Sequence, residues 1–414
     1  MTEPAARPPI EARLSAAGLP PLPRTAWLEI DLDALRANLG VVRALAGPGQ
    51  PVRPVVKADA YGHGAVPVAA ALEAAGADGF CVAAMDEAVE LRDGGIRAPI
   101  LVLYPVPAVW VGVAARLRIA VTGGSPETLA DIVGAAADLD GVDPLAIELE
   151  VETGFGRGGF LVEELAAAAR LVASSPGTEL AGLWTHLQAA PNPTITASQA
   201  DRFAAAAAAL TEAGIHLPTR HVAASEGLLG DLVLPYEGVR PGLITYGLLP
   251  DELDTAGLPA AAARLRPAMA LYARPVRVAD LPAGTGISYG PTFRTARPSR
   301  IATLPVGYGD GFSRRLSNRA SAIVRGTRVP LVGNVTMDAV MADVTDVAGP
   351  PVDGADEFTL LGGSGPERLD VRDLAPERTT NSWEVVVAMS RRLPRVYHAA
   401  ADPVGLRTLT EPRG

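Results

Sequence analysis

The sequence has almost no lysine. Of 36 basic residues in 414, 35 are arginine and one, Lys57, is lysine. Arginine carries charge and pairs with carboxylates, but it does not readily lose its proton and attack a carbonyl. A lone lysine in such a chain is a candidate for amine chemistry, set against the plainer reading of a chance survivor on the surface. Cysteine is equally scarce: with Cys81 alone, internal disulfides are excluded and no thiolate metal cluster can form, so no metal is expected. No apolar run is long and pure enough to span a bilayer. The N-terminus lacks a basic stretch followed by an apolar block, so no secretory signal is expected. A formal net charge of −10 argues against nucleic acid as the main partner. A cytoplasmic protein with neither nucleic-acid nor membrane partners is the expectation.

What the chain does have is apolar bulk. Hydrophobic residues make up 48% of it, enough for a large core. Its length exceeds what one ordinary core supports, so two domains are expected. From about residue 27 to 250, short β-rich runs alternate with Ala- and Leu-rich helical stretches. Strand candidates fall near 54–56, 79–83, 99–103, 119–121, 147–151, 180–184 and 221–223. Helix candidates fall at 65–76, 85–93, 126–137, 163–174 and 198–214. This rhythm points to an α/β fold with an N-terminal (β/α)8 TIM-type barrel, with an open doubly wound sheet as the alternative. No Gly-x-Gly-x-x-Gly turn follows an early strand, which disfavours a dinucleotide site. Near residue 255 the rhythm changes to a linker up to Pro267. After it come short strands near 270–278, 299–305, 321–324, 340–344 and 357–361, with one helix near 380–389: a mainly-β C-terminal domain. The expected division is a flexible N-terminal extension over 1–24, a barrel over 25–260 with its first strand a candidate to join the β-domain, and the β-domain over 261–414.

In a barrel, chemistry sits at the C-terminal ends of the strands and in the loops that follow. Lys57 follows Val55-Val56, Arg157 lies past the 147–151 strand, and His186 follows Leu183-Trp184-Thr185. His221 and Ser225 share one short run, and Arg240 precedes Pro241-Gly242. A buried histidine alone is more often a satisfied core group than a catalyst. Together these residues outline a site for an anionic aromatic ligand: an amine for an aldehyde, small and hydroxyl residues for phosphate, arginines for ring nitrogen or oxygen.

The run Val55-Val-Lys57-Ala-Asp-Ala-Tyr61-Gly-His-Gly64 resembles the cofactor signature of the alanine racemases, the barrel-type pyridoxal-phosphate enzymes. The likeness continues through Ala26 to Leu39, Thr153-Gly-Phe-Gly-Arg157, Thr185-His186 and Val239-Arg240-Pro-Gly-Leu-Ile-Thr-Tyr-Gly247. It extends further through Gly286-Ile-Ser-Tyr289-Gly, Pro305-Val-Gly-Tyr308-Gly-Asp-Gly, Met337-Asp338 and Arg392-Leu-Pro-Arg395-Val-Tyr397. The resemblance implies a pyridoxal 5'-phosphate-dependent amino acid racemase, alanine being the first substrate to try. Lys57 would hold the cofactor as an internal aldimine and act as base on one face of the substrate Cα, with Tyr289 as acid/base on the other. Arg240 would face the pyridine nitrogen, with His186 linking it to Tyr289, and Arg157 would lie beside the phenolic oxygen. Tyr61, Ser225 and the backbone at Gly242 and Leu243 would bind phosphate. Arg157, Tyr308, Met337 and Asp338 would contact the amino acid substrate. Tyr289 and Met337-Asp338 would come from a partner subunit, so the active site would form only in a homodimer.

Four departures stand out. Glu150 occupies a position where the family often carries a carbamylated lysine, and reads as a permanent carboxylate in its place. Ala224 replaces an asparagine. Leu187 to Pro193 replaces an acidic continuation after the Thr-His pair. Arg391 replaces a tyrosine at the site entrance, free to contact phosphate, substrate or solvent. These keep open a pyridoxal-phosphate decarboxylase, aldolase or dehydratase on the same fold, or a non-catalytic carrier of the cofactor.

Overall fold

The computed structural model describes residues 7–216, 219–230, 237–251, 253, 257–364 and 366–410. The start of the expected extension, the beginning of the linker at 254–256 and the last four residues of the β-domain lie outside these. The chain divides into two compact units, residues 35–266 and residues 1–34 with 267–414. Among the described residues, no helix is long and apolar enough to cross a membrane.

The first unit is an α/β barrel. Six parallel strands run in sequence order: Phe80–Val82, Ile100–Val102, Ile119–Gly123, Leu145–Glu150, Thr178–Trp184 and Arg220–His221. Most of their residues are buried, as strands covered on both faces must be. Two further extended segments close the ring. Val55 bridges Cys81 on one side, Val52 bridges Val239, and the Arg240 N–H donates to the Ala223 carbonyl at 2.9 Å. The expected strand at 54–56 is therefore present as extended backbone held by single bridges rather than a full ladder.

Helices fill the crossovers, and their starts follow local chemistry. Ser125 caps the helix Pro126–Ala137, its hydroxyl accepting from the Thr128 N–H, with Pro126 in the first turn. The helix Pro193–Glu212 begins five residues before its expected start. Asn192 is its cap, accepting from Thr194 and Ile195, so Pro193 is a first-turn proline and not the loop residue its neighbours suggest.

The second unit is built on a sheet in which Ala26–Asp31 lies between Arg395–Ala399, to which it runs parallel, and Met269–Ala273, to which it runs antiparallel. The first strand thus belongs to the β-unit. Residues 10–24 also depart from the expectation of a loose extension. Ile10–Ala16 is a helix whose Ile10 and Leu14 are buried against Trp27, Tyr272 and Val396. An apolar pair spaced i, i+4 supplies one helical face, and the Pro- and Ala-rich surroundings mask it. Arg13 reinforces the attachment through the buried Glu29 carboxylate, 3.1 Å away.

Candidate active site

Lys57 emerges at the end of the Val55-Val56 segment, and the chain then does something uncommon. Ala58, Asp59, Ala60 and Tyr61 all adopt left-handed backbone conformations, with φ between 52° and 57°. For non-glycine residues this costs about 1–2 kcal/mol each, so roughly 4–8 kcal/mol for the turn. The surroundings hold it. The Glu87 carboxylate accepts from the N–H groups of Ala58 at 2.6 Å, Ala83 at 2.7 Å and Ala84 at 3.1 Å. Asp59 accepts from Ala65 at 2.9 Å, tying the turn to the next helix. Lys57 is half-buried; burial, and then the Arg157 guanidinium, hold its amine below the ordinary lysine range, which Glu87 and Cys81 only partly offset. A lowered amine pKa raises the fraction of nucleophile at neutral pH.

Beside this turn lies a cradle of donors. The Ser225 hydroxyl accepts from the N–H of Gly242 at 3.0 Å and of Ile244 at 3.4 Å. Leu243 opens the short helical turn Leu243–Tyr246. The Tyr61 phenol sits directly over Gly242: a Cβ there would come 2.6 Å from its oxygen. Burial raises the Tyr61 pKa to about 12, so it stays a neutral donor. The Tyr61 ring packs on Tyr246 at 4.8 Å, and Tyr246 donates to the Val55 carbonyl at 2.8 Å, fixing the cradle to the lysine segment.

Two arginines define the rest of this half. Arg240 is buried, its guanidinium donating to the Thr185 carbonyl at 2.7 Å, the His221 carbonyl at 3.0 Å and the His221 Nδ1. It lies 4.9 Å from the Trp184 ring centre. Burial brings its pKa down to about 10, so it remains a cation at neutral pH. Arg157 is 3.5 Å from Glu150 and lies over the rings of Phe155 at 4.5 Å and Tyr104 at 5.7 Å. His186 lies edge-on to Phe155 at 5.4 Å. Burial, together with Arg240, Arg157 and Lys57, lowers its pKa to about 3, so it is neutral. The imidazole that accepts from Arg240 is that of His221, while Arg240 acts on His186 through its charge.

The β-unit carries the remaining candidates on one connected stretch. Tyr308 and Gly309 donate backbone N–H groups to the carbonyls of Thr336 and Met337, placing Tyr308 against Met337-Asp338. The Asn334 amide donates to the Tyr289 carbonyl at 2.7 Å, and Ser288 donates to the Asn334 carbonyl at 2.6 Å. Tyr289, Met337 and Tyr308 are 76%, 51% and 42% exposed. Asp338 is held by Arg392 at 2.6 Å, whose Nε lies 3.4 Å from the buried Asp310. Arg391 is exposed.

The profile of the alanine racemase N-terminal domain matches residues 30–250, and that of the C-terminal domain matches residues 268–397. The chain belongs to the alanine racemase family. It is 42% identical to the alanine racemase of Symbiobacterium thermophilum over 381 residues, covering 90% of this chain and 97% of that protein. It is 39% identical to that of Desulfovibrio desulfuricans over 376 residues, covering 90% and 98%. Among solved structures, alanine racemase from Bacillus anthracis with bound L-Ala-P superposes with a TM-score of 0.86 at 32% identity, covering 94% of this chain and 98% of that one.

The expectation of a racemase-family enzyme built on a barrel and a mainly-β domain is met. What sequence reasoning missed is the machinery behind the candidate site residues. Glu87, which holds the left-handed turn, reads in sequence as an ordinary helix-start acid. Glu148 and Arg53, which extend the Arg240–His221 pair, leave no signal beyond charge at strand positions where apolar residues are the rule.

Proposed function

We propose that the chain interconverts L- and D-amino acids, alanine first, with pyridoxal 5'-phosphate bound covalently to Lys57. The observation carrying this is the sole lysine: half-buried, lowered in proton affinity by burial and by Arg157, and opening the turn whose Tyr61 packs over the Ser225–Gly242 cradle. The donor set suits that group. Tyr61, Ser225 and the backbone of Gly242 and Leu243 would hold phosphate, Arg240 would face the ring nitrogen, and Arg157 the ring oxygen. When bound, the conjugated ring draws electron density from the substrate Cα, making its proton removable.

The protein moves the proton. Released when the substrate amine takes its place on the cofactor, Lys57 Nζ would take it from one face of Cα, and the Tyr289 hydroxyl would deliver one to the other; the reverse reaction exchanges their roles. A guanidinium at the ring nitrogen, unlike a carboxylate, does not leave a proton there, which restrains side reactions. Tyr289, Tyr308, Met337 and Asp338 reach the barrel mouth of a second copy in a homodimer, which accounts for their exposure. Arg157, with Tyr308, Met337 and Asp338, would bind the substrate carboxylate. Glu150 supplies a fixed negative charge beside Arg157, and Arg391 faces the entrance. The setting is cytoplasmic.

The test is direct. Borohydride reduction of the yellow protein should fix the cofactor to the Lys57-containing peptide, and amino acids in heavy water should exchange at Cα, alanine fastest. Protein that ignores added cofactor, or alanine that keeps its Cα hydrogen, would sink the proposal.

A further inference from the structure

From Arg240 a line of four polar side chains, Arg240 included, runs through the buried interior of the barrel. Arg240 donates to Nδ1 of His221, Nε2 of His221 faces the Glu148 carboxylate, and Glu148 pairs with Arg53 at 2.7 Å. His221, Arg240 and Glu148 are each at most 2% exposed, while Arg53 reaches solvent with its side chain about one-fifth exposed. The Trp184 ring lies parallel to the His221 ring, at 6.3 Å, and beneath Arg240. Glycine at 182 makes the room: a Cβ there would meet the Glu148 carboxyl carbon at 3.3 Å and the Thr219 carbonyl at 3.0 Å.

The hydrogen-bond logic runs one way. A carboxylate only accepts, so His221 must present Nε2–H to Glu148. A neutral imidazole then has its lone pair on Nδ1, facing a guanidinium that only donates. The arrangement is self-consistent with His221 neutral, and burial with Arg240 nearby does hold it so. Remove the carboxylate and the ring can carry its proton on Nδ1 instead, setting donor against donor at Arg240.

We propose that Glu148 is a positioning residue for the reaction: acting through His221, it fixes the ring nitrogen that faces Arg240 and keeps Arg240 a charged donor at the cofactor ring, with Arg53 as its counter-charge. The inference rests on the reading that Arg240 meets the ring of pyridoxal phosphate. It assigns a reaction role to two side chains, Glu148 and Arg53, that lie outside the set expected to touch cofactor or substrate.

The test uses the holoenzyme and two variants of opposite sign, Glu148→Gln and Arg53→Gln. The readout is the pH at which the bound cofactor's visible absorption changes. Losing a negative charge from the line should move that midpoint down, and losing a positive charge should move it up, each by about one unit as His221 and Arg240 pass the change on to the ring. Glu148→Gln should lower kcat at least tenfold while changing KM less than threefold, and adding Arg53→Gln to it should recover part of the loss. A merely structural role would lower melting temperature in both variants and leave the midpoints alone. Midpoints that stay put, or move the same way, overturn the inference. If Glu148→Gln does not fold, the upward shift in Arg53→Gln decides. Wild-type protein that takes up no pyridoxal phosphate overturns the functional reading and this inference with it; a yellow wild type whose variants titrate unchanged overturns only the positioning role.

Discussion

The carboxylate of Glu150 lies 3.5 Å from the guanidinium of Arg157. Two aromatic faces, Phe155 and Tyr104, flank that guanidinium, so the carboxylate sets its position while the rings restrict its tilt. Burial raises the Glu150 pKa and Arg157 opposes the rise. Because Glu150 is a built-in carboxylate, activity should not depend on dissolved bicarbonate. Glu150→Gln keeps the shape and removes the charge. A charge-assisted contact contributes about 1.5–3 kcal/mol, so kcat/KM for alanine should fall roughly 10- to 100-fold. Steady-state kinetics with and without bicarbonate checks both statements, and an unchanged Gln variant would remove Glu150 from the site.

Gly242 is where the cradle is least forgiving. An added methyl would stand 2.6 Å from the Tyr61 oxygen, so either the phenol or the 242–244 backbone must move. Gly242→Ala should weaken pyridoxal phosphate binding at least tenfold, about 1.4 kcal/mol, while far-UV dichroism stays that of the wild type. Fluorescence titration of apo-protein with cofactor measures it. Equal affinity in the variant would mean that the contact between Tyr61 and Gly242 does not shape the phosphate site.

Much of this was legible in sequence, and the reasons are physical. Barrel helices such as Met85–Asp93 and Pro126–Ala137 carry apolar residues at helical spacing and clear start signals, so their expected bounds coincide with those in the structure. Lys57, Arg157, Ser225 and Arg240 stand out because they follow strands, where a barrel keeps its chemistry. The helix Ile10–Ala16 escaped notice because its burial depends on Trp27, Tyr272 and Val396, two of them hundreds of residues away in sequence. The tie between Arg240 and His221 escaped for a related reason: it depends on the closure of the ring between Ala223 and Arg240. The left-handed turn after Lys57 has little sequence signal, since of its residues only Asp59 is of a type that visits this conformation; Glu87 holds it from outside and Asp59 ties it to the next helix.

Two histidines kept neutral in the fold make stability depend on pH. Burial and nearby cations lower His186 to about 3, and burial lowers His221 to about 4 against an ordinary value near 6.5. In the unfolded chain both take up protons as pH falls below about 6.5, whereas in the fold they do not until about pH 4 or lower. The unfolded state therefore binds more protons, and stability falls with pH from about 6.5 to 4. Urea midpoints at pH 7, 6 and 5 should decline in order. His186→Gln removes one of the two contributions and should decline less steeply. A variant as pH-sensitive as the wild type would show that His186 is not held neutral.

Tyr289, the proposed second acid/base, offers a test that separates catalysis from stability. Its side chain is 76% exposed in the β-unit, so Tyr289→Phe should change unfolding free energy by no more than about 0.5 kcal/mol. The ring stays and only the hydroxyl goes, so cofactor colour and homodimer mass should be retained. In the two-base scheme the two enantiomers meet different bases: one loses its Cα proton to Lys57, the other to Tyr289. The variant should therefore still exchange Cα hydrogen for deuterium from the enantiomer facing Lys57, while exchange from its mirror image drops by at least a hundredfold, in the range expected for loss of a general acid/base. Net racemisation falls with the slower side. Mass spectrometry of each pure enantiomer in heavy water resolves the two rates separately. Equal exchange rates from the two enantiomers in the variant would argue against the two-base scheme.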